Sequence, residues 1–259
     1  MIRKARVAGQ FYPGGREDLL GAVESFLFTP GERVNAKGVL SPHAGYVYSG
    51  GIAGSLYSTV NFPETIAVIG PNHTGHGKRI GISDEDFETP LGIVSHSRNV
   101  VGALSRVFGT DNVSHVFEHS IEVQLPFLQV VGGKFELIAI TMMDQSLHSS
   151  LTLGETLNEV MPENGMVIAS SDMSHYVPRA EAERKDKLAI GAIEKIDPEL
   201  LHRTIEDNDI TMCGYGCATA MLHFSRLRGA HEGKLLRYGT SGDVSPMRDV
   251  VGYASMLVY

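Results

Sequence analysis

The 259-residue chain has no tryptophan and only two cysteines. Cys213 and Cys217 stand four residues apart, which is too few and too close for a disulfide framework. No stretch approaches the roughly 20 apolar residues that cross a bilayer, so no membrane partner is expected. Basic residues are in deficit: 22 Lys+Arg stand against 30 Asp+Glu, a net charge of −8 with histidine neutral. A nucleic-acid surface needs the opposite balance, so no nucleic-acid partner is expected either. Residues 1–7 are basic without an apolar stretch behind them, which argues against a secretion signal and for a cytoplasmic location. Phosphate loops of the Gly-x-x-x-x-Gly-Lys type, Rossmann glycine fingerprints and His-Glu-x-x-His helices are also missing. The Gly-x-Ser-x-Gly nucleophile elbow is absent too, which removes the serine-hydrolase reading.

What the chain does have is eleven histidines on an ordinary globular background, 42% hydrophobic and 20% charged. The 29 glycines are spread throughout, and no repeat, low-complexity block or linker divides the sequence. Residues 1–259 therefore read as one domain. Short apolar runs alternate with helical patterns. Residues 17–28 place Leu19, Leu20, Val23, Phe26 and Leu27 on one helical face. Brief β-type runs lie at 38–40, 66–69, 137–141 and 166–170, and residues 250–259 read as a closing strand. Helices are expected over 179–196 and 198–207, with another beginning near Gly214. Met142, Met143, Met161 and Met166 lie in apolar contexts and read as core. Strands alternating with helices predict an α/β fold with a central, mostly parallel sheet covered by helices.

Three apolar runs carry a histidine just past their carboxyl end: His43, His73 and His175. In open α/β sheets the ligand crevice lies outside those strand ends, so three distant histidines can meet in one crevice. Pro42 before His43 and Pro71 before His73 set rigid turns that present each imidazole at a fixed angle. His76, in a glycine-flanked loop, reads as exposed or at most packed behind a ligand. Asp172 and His175 are three residues apart, a spacing that shares a face on a helical turn. Asp172 then either fixes the His175 tautomer for general-base or ligand work, or caps the next helix. His119 and Glu122 share that spacing, either as a capping arrangement or as a carboxylate–imidazole pair that orients or protonates a substrate. Cys213 precedes a helix whose positive end favours a thiolate, which suits a nucleophile or a soft metal ligand. Cys217 reads as a small core residue, and four residues within a helix is poor disulfide geometry.

Taken together, Ala8-Gly9-Gln10-Phe11-Tyr12-Pro13, Pro42-His43-Ala44-Gly45-Tyr46, Gly70-Pro71-Asn72-His73 and Glu118-His119-Ser120-Ile121-Glu122 resemble the Memo family, also called AmmeMemoRadiSam system protein B. The resemblance continues through Ser170-Ser171-Asp172-Met173-Ser174-His175, Cys213-Gly214, Tyr238-Gly239-Thr240-Ser241-Gly242-Asp243 and Val250-Val251-Gly252-Tyr253. It implies a fold similar to class III extradiol dioxygenases, which use non-haem Fe(II). It also implies a metal site of His43, His73 and Cys213, with His119, Asp172 and His175 lining the same pocket and His175 resembling a catalytic base. Two histidines and a carboxylate are the usual Fe(II) oxygenase set; a thiolate in that place shifts preference toward Cu(I) or Zn. The expected cofactor is thus a metal ion, Fe(II) or Cu(I), with Zn accommodated. The leading expectation is a metal-dependent redox enzyme acting on a small aromatic or radical-derived molecule. A binding protein using the same crevice without turnover is the alternative, and a zinc hydrolase working near His175 is a third reading. The family's second name implies a pathway link to a radical-SAM protein. The phosphopeptide binding described for animal members is not carried over, because nothing in this acidic chain supports it.

Overall fold

Apolar runs without polar alternation are what strands buried on both faces require. In the computed structural model, which describes residues 1–259, those runs become the centre of one large sheet. In chain order, β1 (Ile2–Arg3) and α1 (Arg16–Phe26) precede β2 (Gly38–Ser41), α2 (Tyr46–Thr59) and β3 (Thr65–Pro71). Three short strands follow, β4 (Ile80–Ile82), β5 (Asp86–Thr89) and β6 (Gly92–Val94), then α3 (Arg98–Phe108) and α4 (Leu125–Val131). Next come β7 (Glu136–Met142), α5 (Leu147–Val160), β8 (Met166–Ser170), β9 (His175–Pro178) and α6 (Arg179–Glu194). The chain ends with α7 (Pro198–Asp207), α8 (Tyr215–Leu227), β10 (Gly233–Thr240) and β11 (Asp249–Val258).

The main sheet has the order β10-β11-β2-β8-β3-β7-β4, with β9 added against β11. Its centre is parallel, from β2 through β8 and β3 to β7. The flanks are antiparallel: β11 against β2, β10 and β9 against β11, and β4 against β7. The sheet is therefore mixed, with a parallel heart, because the closing strand returns antiparallel beside β2. A separate small sheet pairs β1, β5 and β6.

Helices cover both faces. Along β3, Ala67 and Ile69 enter one apolar cluster and Ile66 and Val68 the other, as the two-residue period of a strand demands. Leu153 of α5 and Leu222 of α8 belong to the first cluster, Leu56 of α2 and Phe127 of α4 to the second. Local chemistry fixes two helix starts. The Ser146 hydroxyl accepts the Ser149 N–H at 3.3 Å, and Asp197 accepts the Leu200 N–H at 2.8 Å with Pro198 in the first turn. α1 is shorter than expected, ending at Phe26, and only Leu19 and Val23 of its apolar face are buried. Leu20 faces solvent, as does Met143 just past β7, whereas Met142, Met161 and Met166 are core.

Candidate metal centre

Because β2, β8 and β3 are neighbours, their carboxyl ends open on one side of the sheet. His43 follows β2 by two residues and His73 follows β3 by two. His43, His73, His119, Asp172, His175 and Cys213 all line one cavity of about 700 Å³ there. Cys213 arrives from the far side, just before α8. Gly214 makes that approach possible: a Cβ on it would lie 2.6 Å from the Ser170 carbonyl oxygen. The thiol consequently sits 3.3 Å from Nε2 of His43. One ligand atom from each of His43, His73 and Cys213 lies within 4.8 Å of the others.

The imidazoles are oriented from behind. The Ser170 hydroxyl donates to the Ser120 carbonyl at 2.6 Å, so its oxygen accepts from Nδ1 of His43 at 3.0 Å. The Nε2 lone pair of His43 then faces the sulfur. Glu118 does the same for His73, accepting its Nδ1 at 3.0 Å and its backbone N–H at 2.6 Å. Burial favours the protonated Glu118 carboxyl. The His73 hydrogen bond, the adjoining imidazoles and the Ser120 N–H outweigh it and hold the carboxyl at about 2. Glu118 is thus an acceptor only, and His73 presents Nε2 to the cavity. Carboxylate- and hydroxyl-backed imidazoles of this kind are the usual support of metal ligands.

Burial and the His119 and His73 rings keep His43 well below the ordinary histidine range. Burial, with His73 beside it, lowers His119 to about 4, although the Glu118 charge opposes the shift. Both rings are therefore neutral at neutral pH, as a metal ligand must be. His119 stacks on His73 with centroids 4.7 Å apart, and the Phe11 ring packs on it at 4.6 Å.

Three expectations about these residues need correction. Asp172 and His175 do not share a helical turn, since residues 171–174 form a loop and His175 opens β9. The Asp172 carboxylate accepts the His43 N–H at 2.8 Å instead. Burial pushes the Asp172 carboxyl up, against the His43 N–H and the His175 ring, which favour its anion. His175 is held by two carbonyl oxygens, of Met173 and Thr211, each 2.8 Å from Nδ1. Two acceptors there make Nδ1 the protonated nitrogen. Glu122 turns away from the cavity and binds the N-terminal segment, accepting from Arg3, the Val7 N–H and the Tyr12 hydroxyl. The thiol of Cys213 is not activated by α8: burial and the Asp172 charge push it up. Its sulfur meets the Asp172 N–H at 3.3 Å rather than a helix N–H. Cys217 is buried core, and His76 is exposed.

Sequence reasoning passed over Glu118, Ser170 and Gln124. Gln124 ties the ensemble together, donating to the Pro42 carbonyl at 2.9 Å and to Ser170 at 2.8 Å. Glu118 adjoins His119 in the sequence, but it is Glu122 that stands at helical spacing from it. Ser170 and Gln124 left no signal that spacing alone could reveal.

An α/β sheet with a cluster of two histidines and one cysteine at its strand ends defines the class. The profile of the Memo-like protein family matches residues 3–257, and the chain belongs to that family. A MEMO1 family protein of Archaeoglobus fulgidus is 38% identical over 260 residues, covering 99% of each chain. One from Thermotoga neapolitana is 41% identical over 280 residues, covering 100% of both. Among solved structures, the uncharacterized protein JW3007 from Escherichia coli K12 shares the fold with a TM-score of 0.52 at 12% identity. That likeness covers 85% of this chain and 98% of the other.

The donor set fits a metal ion. Two imidazoles with Nδ1 occupied and Nε2 turned toward the cavity, plus one sulfur, match the ligand types of soft and borderline ions. No helix is long and apolar enough to cross a membrane.

Proposed function

We propose that the protein is a metal-dependent redox enzyme acting on a small molecule in the strand-end cavity, with His43, His73 and Cys213 as ligands. The observation that supports this best is the convergence of those three side chains, with the far nitrogen of each imidazole held by Ser170 or Glu118. A sulfur among two imidazoles suits Cu(I) or Zn, and accommodates Fe(II). Bound there, iron or copper would supply electron-transfer chemistry next to the substrate. A cavity of about 700 Å³ falls in the range that takes up small organic molecules.

The chain's own residues supply the rest. His175, protonated at Nδ1, has Nε2 free to take a proton from substrate and return it. Asp172 fixes the His43 backbone through its N–H and places a carboxylate beside the sulfur. His119, neutral and wedged by Phe11, can orient a polar group of the substrate. These roles extend the dioxygenase resemblance of the motifs to an enzyme whose carboxylate ligand is replaced by Cys213.

The test is elemental analysis of anaerobically purified protein, comparing wild type with His43→Ala and Cys213→Ala, followed by oxygen uptake with catechol-type substrates. Stoichiometric iron or copper lost in both variants, with turnover in wild type, supports the enzyme. The same metal without turnover on any substrate tried favours a binding protein. Wild type without metal, or Cys213→Ala retaining it, overturns the ligand set.

A further inference from the structure

Asp186 is a fully buried carboxylate outside the cluster described above. It reaches inward from α6 and accepts the Ser174 N–H at 2.9 Å on one oxygen and the Tyr238 hydroxyl at 2.7 Å on the other. Burial pushes this carboxyl up, while the Ser174 and Tyr238 hydrogen bonds favour its anion. A buried carboxylate without a cationic partner costs stability compared with an apolar side chain. Its position shows what that cost secures.

Ser174 lies in the loop that leads from β8 to His175. The Met173 N–H donates to the Gly252 carbonyl at 2.8 Å, and the Gly252 N–H donates to the Ser174 carbonyl at 2.8 Å. Only glycine fits at position 252, because a Cβ there would lie 2.0 Å from Oδ2 of Asp186. The loop is thus pinned by β11 on one side and by Asp186 on the other. Its next hydrogen bond reaches the cavity wall: the Met173 carbonyl accepts from Nδ1 of His175. Two motifs that the metal site leaves unexplained, around Tyr238 and Gly252, both serve this one loop.

We propose that Asp186 and Tyr238 form a positioning pair that fixes the Met173–Ser174 backbone and, through it, the Nδ1–H tautomer and direction of His175. The inference rests on the reading of His175 as the proton-transfer group. Tyr238 holds the carboxylate, the carboxylate holds the Ser174 N–H, and the adjoining Met173 carbonyl holds the imidazole together with the Thr211 carbonyl.

The test is nitrogen-15 NMR of metal-free protein labelled at histidine and at Ser174, in which long-range couplings separate the two imidazole tautomers. The His175→Gln variant identifies the His175 signals. Wild type shows a single Nδ1–H tautomer at His175. Asp186→Ala converts it to a mixture and speeds exchange of the Ser174 amide on the order of tenfold. Tyr238→Phe moves both readouts the same way by less. Asp186→Asn, whose amide oxygen still accepts the Ser174 N–H, restores the wild-type pattern. His115, bonded to the Gly81 carbonyl at 3.0 Å, reports whether a variant keeps its fold. If Asp186→Ala does not fold, Tyr238→Phe decides. An unchanged His175 signal in a variant that keeps the His115 signal overturns the pair's role, as does a tautomer mixture in wild type. Since the readout needs neither metal nor turnover, a protein that binds no metal would sink the proposed function and leave this test intact.

Discussion

Nε2 of His43 lies 3.3 Å from Sγ of Cys213, across 170 residues of sequence. Without a cation the pair is a thiol beside a neutral imidazole, since burial pushes the thiol up and the imidazole down. A bound metal would displace that proton and take both lone pairs. The identity of residue 213 should therefore set the metal preference. Cys213→Asp restores the two-histidine, one-carboxylate set and is expected to lose Cu(I) while keeping Fe(II). Competition dialysis with both ions measures this, and undiminished Cu(I) uptake by the aspartate variant would refute it.

Glu118 accepts from the backbone N–H groups of His73, His119 and Ser120 as well as from the His73 ring. In Glu118→Gln one acceptor oxygen becomes an amide donor facing groups that are themselves donors. Metal affinity is expected to fall about 10- to 100-fold, the usual effect of removing a ligand's carboxylate support. Chelator competition against wild type gives the number. An affinity unchanged by the substitution would mean that His73 is oriented by something else.

How much of this was legible in the sequence follows from how each feature is encoded. The strand-end histidines could be read because apolar runs of β length ended at Pro-His and Gly-Pro-Asn-His turns, and those turns do open on one crevice. The helix starting at Arg179 and the start of α8 were placed by local pattern as well. The antiparallel flanks were not, because the direction in which β11 joins β2 depends on a long-range return that no local pattern carries. Asp172 and Glu122 were misread for one reason. A three-residue spacing implies a shared face only on a helix, and neither pair lies on a regular α-helical turn. The partners that orient the His43 and His73 imidazoles, Ser170 and Glu118, act across the fold, where spacing says nothing.

His115 supplies a pH dependence separate from the His43–His73–Cys213 cluster. Burial lowers this imidazole to about 4, assisted by the Arg3 charge and opposed by its bond to the Gly81 carbonyl. Its folded value lies below the unfolded one of about 6.5, so between them the unfolded chain binds the extra proton. Stability is then fully present above about 6.5 and is lost as the pH falls toward 4, by roughly 3 kcal/mol from this residue. Urea unfolding of metal-free protein at pH 7 and pH 4.5 should show the loss. His115→Gln, which can still donate to the Gly81 carbonyl, should show a smaller one. Equal pH slopes in the two proteins would contradict the assignment.

The N-terminal segment is held to the body by one buried ion pair, Arg3 with Glu122. Arg3 also donates to the His115 and Glu118 carbonyls, each at 2.6 Å. Glu122 also accepts the Arg6 and Val7 N–H groups and, at 2.6 Å, the Tyr12 hydroxyl. This clasp carries Phe11 to the cavity wall, where its carbonyl accepts the Tyr46 N–H at 2.7 Å and its ring meets His119. Breaking a buried pair from one side strands the other charge, so Glu122→Leu is expected to cost about 3–5 kcal/mol. Adding Arg3→Met removes the stranded charge and should recover part of that loss. Urea denaturation of the two single variants and the double variant measures the coupling, and protease cleavage within residues 1–12 shows whether the segment has come loose. A Glu122→Leu protein within about 1 kcal/mol of wild type would mean that the pair contributes no more than an exposed one.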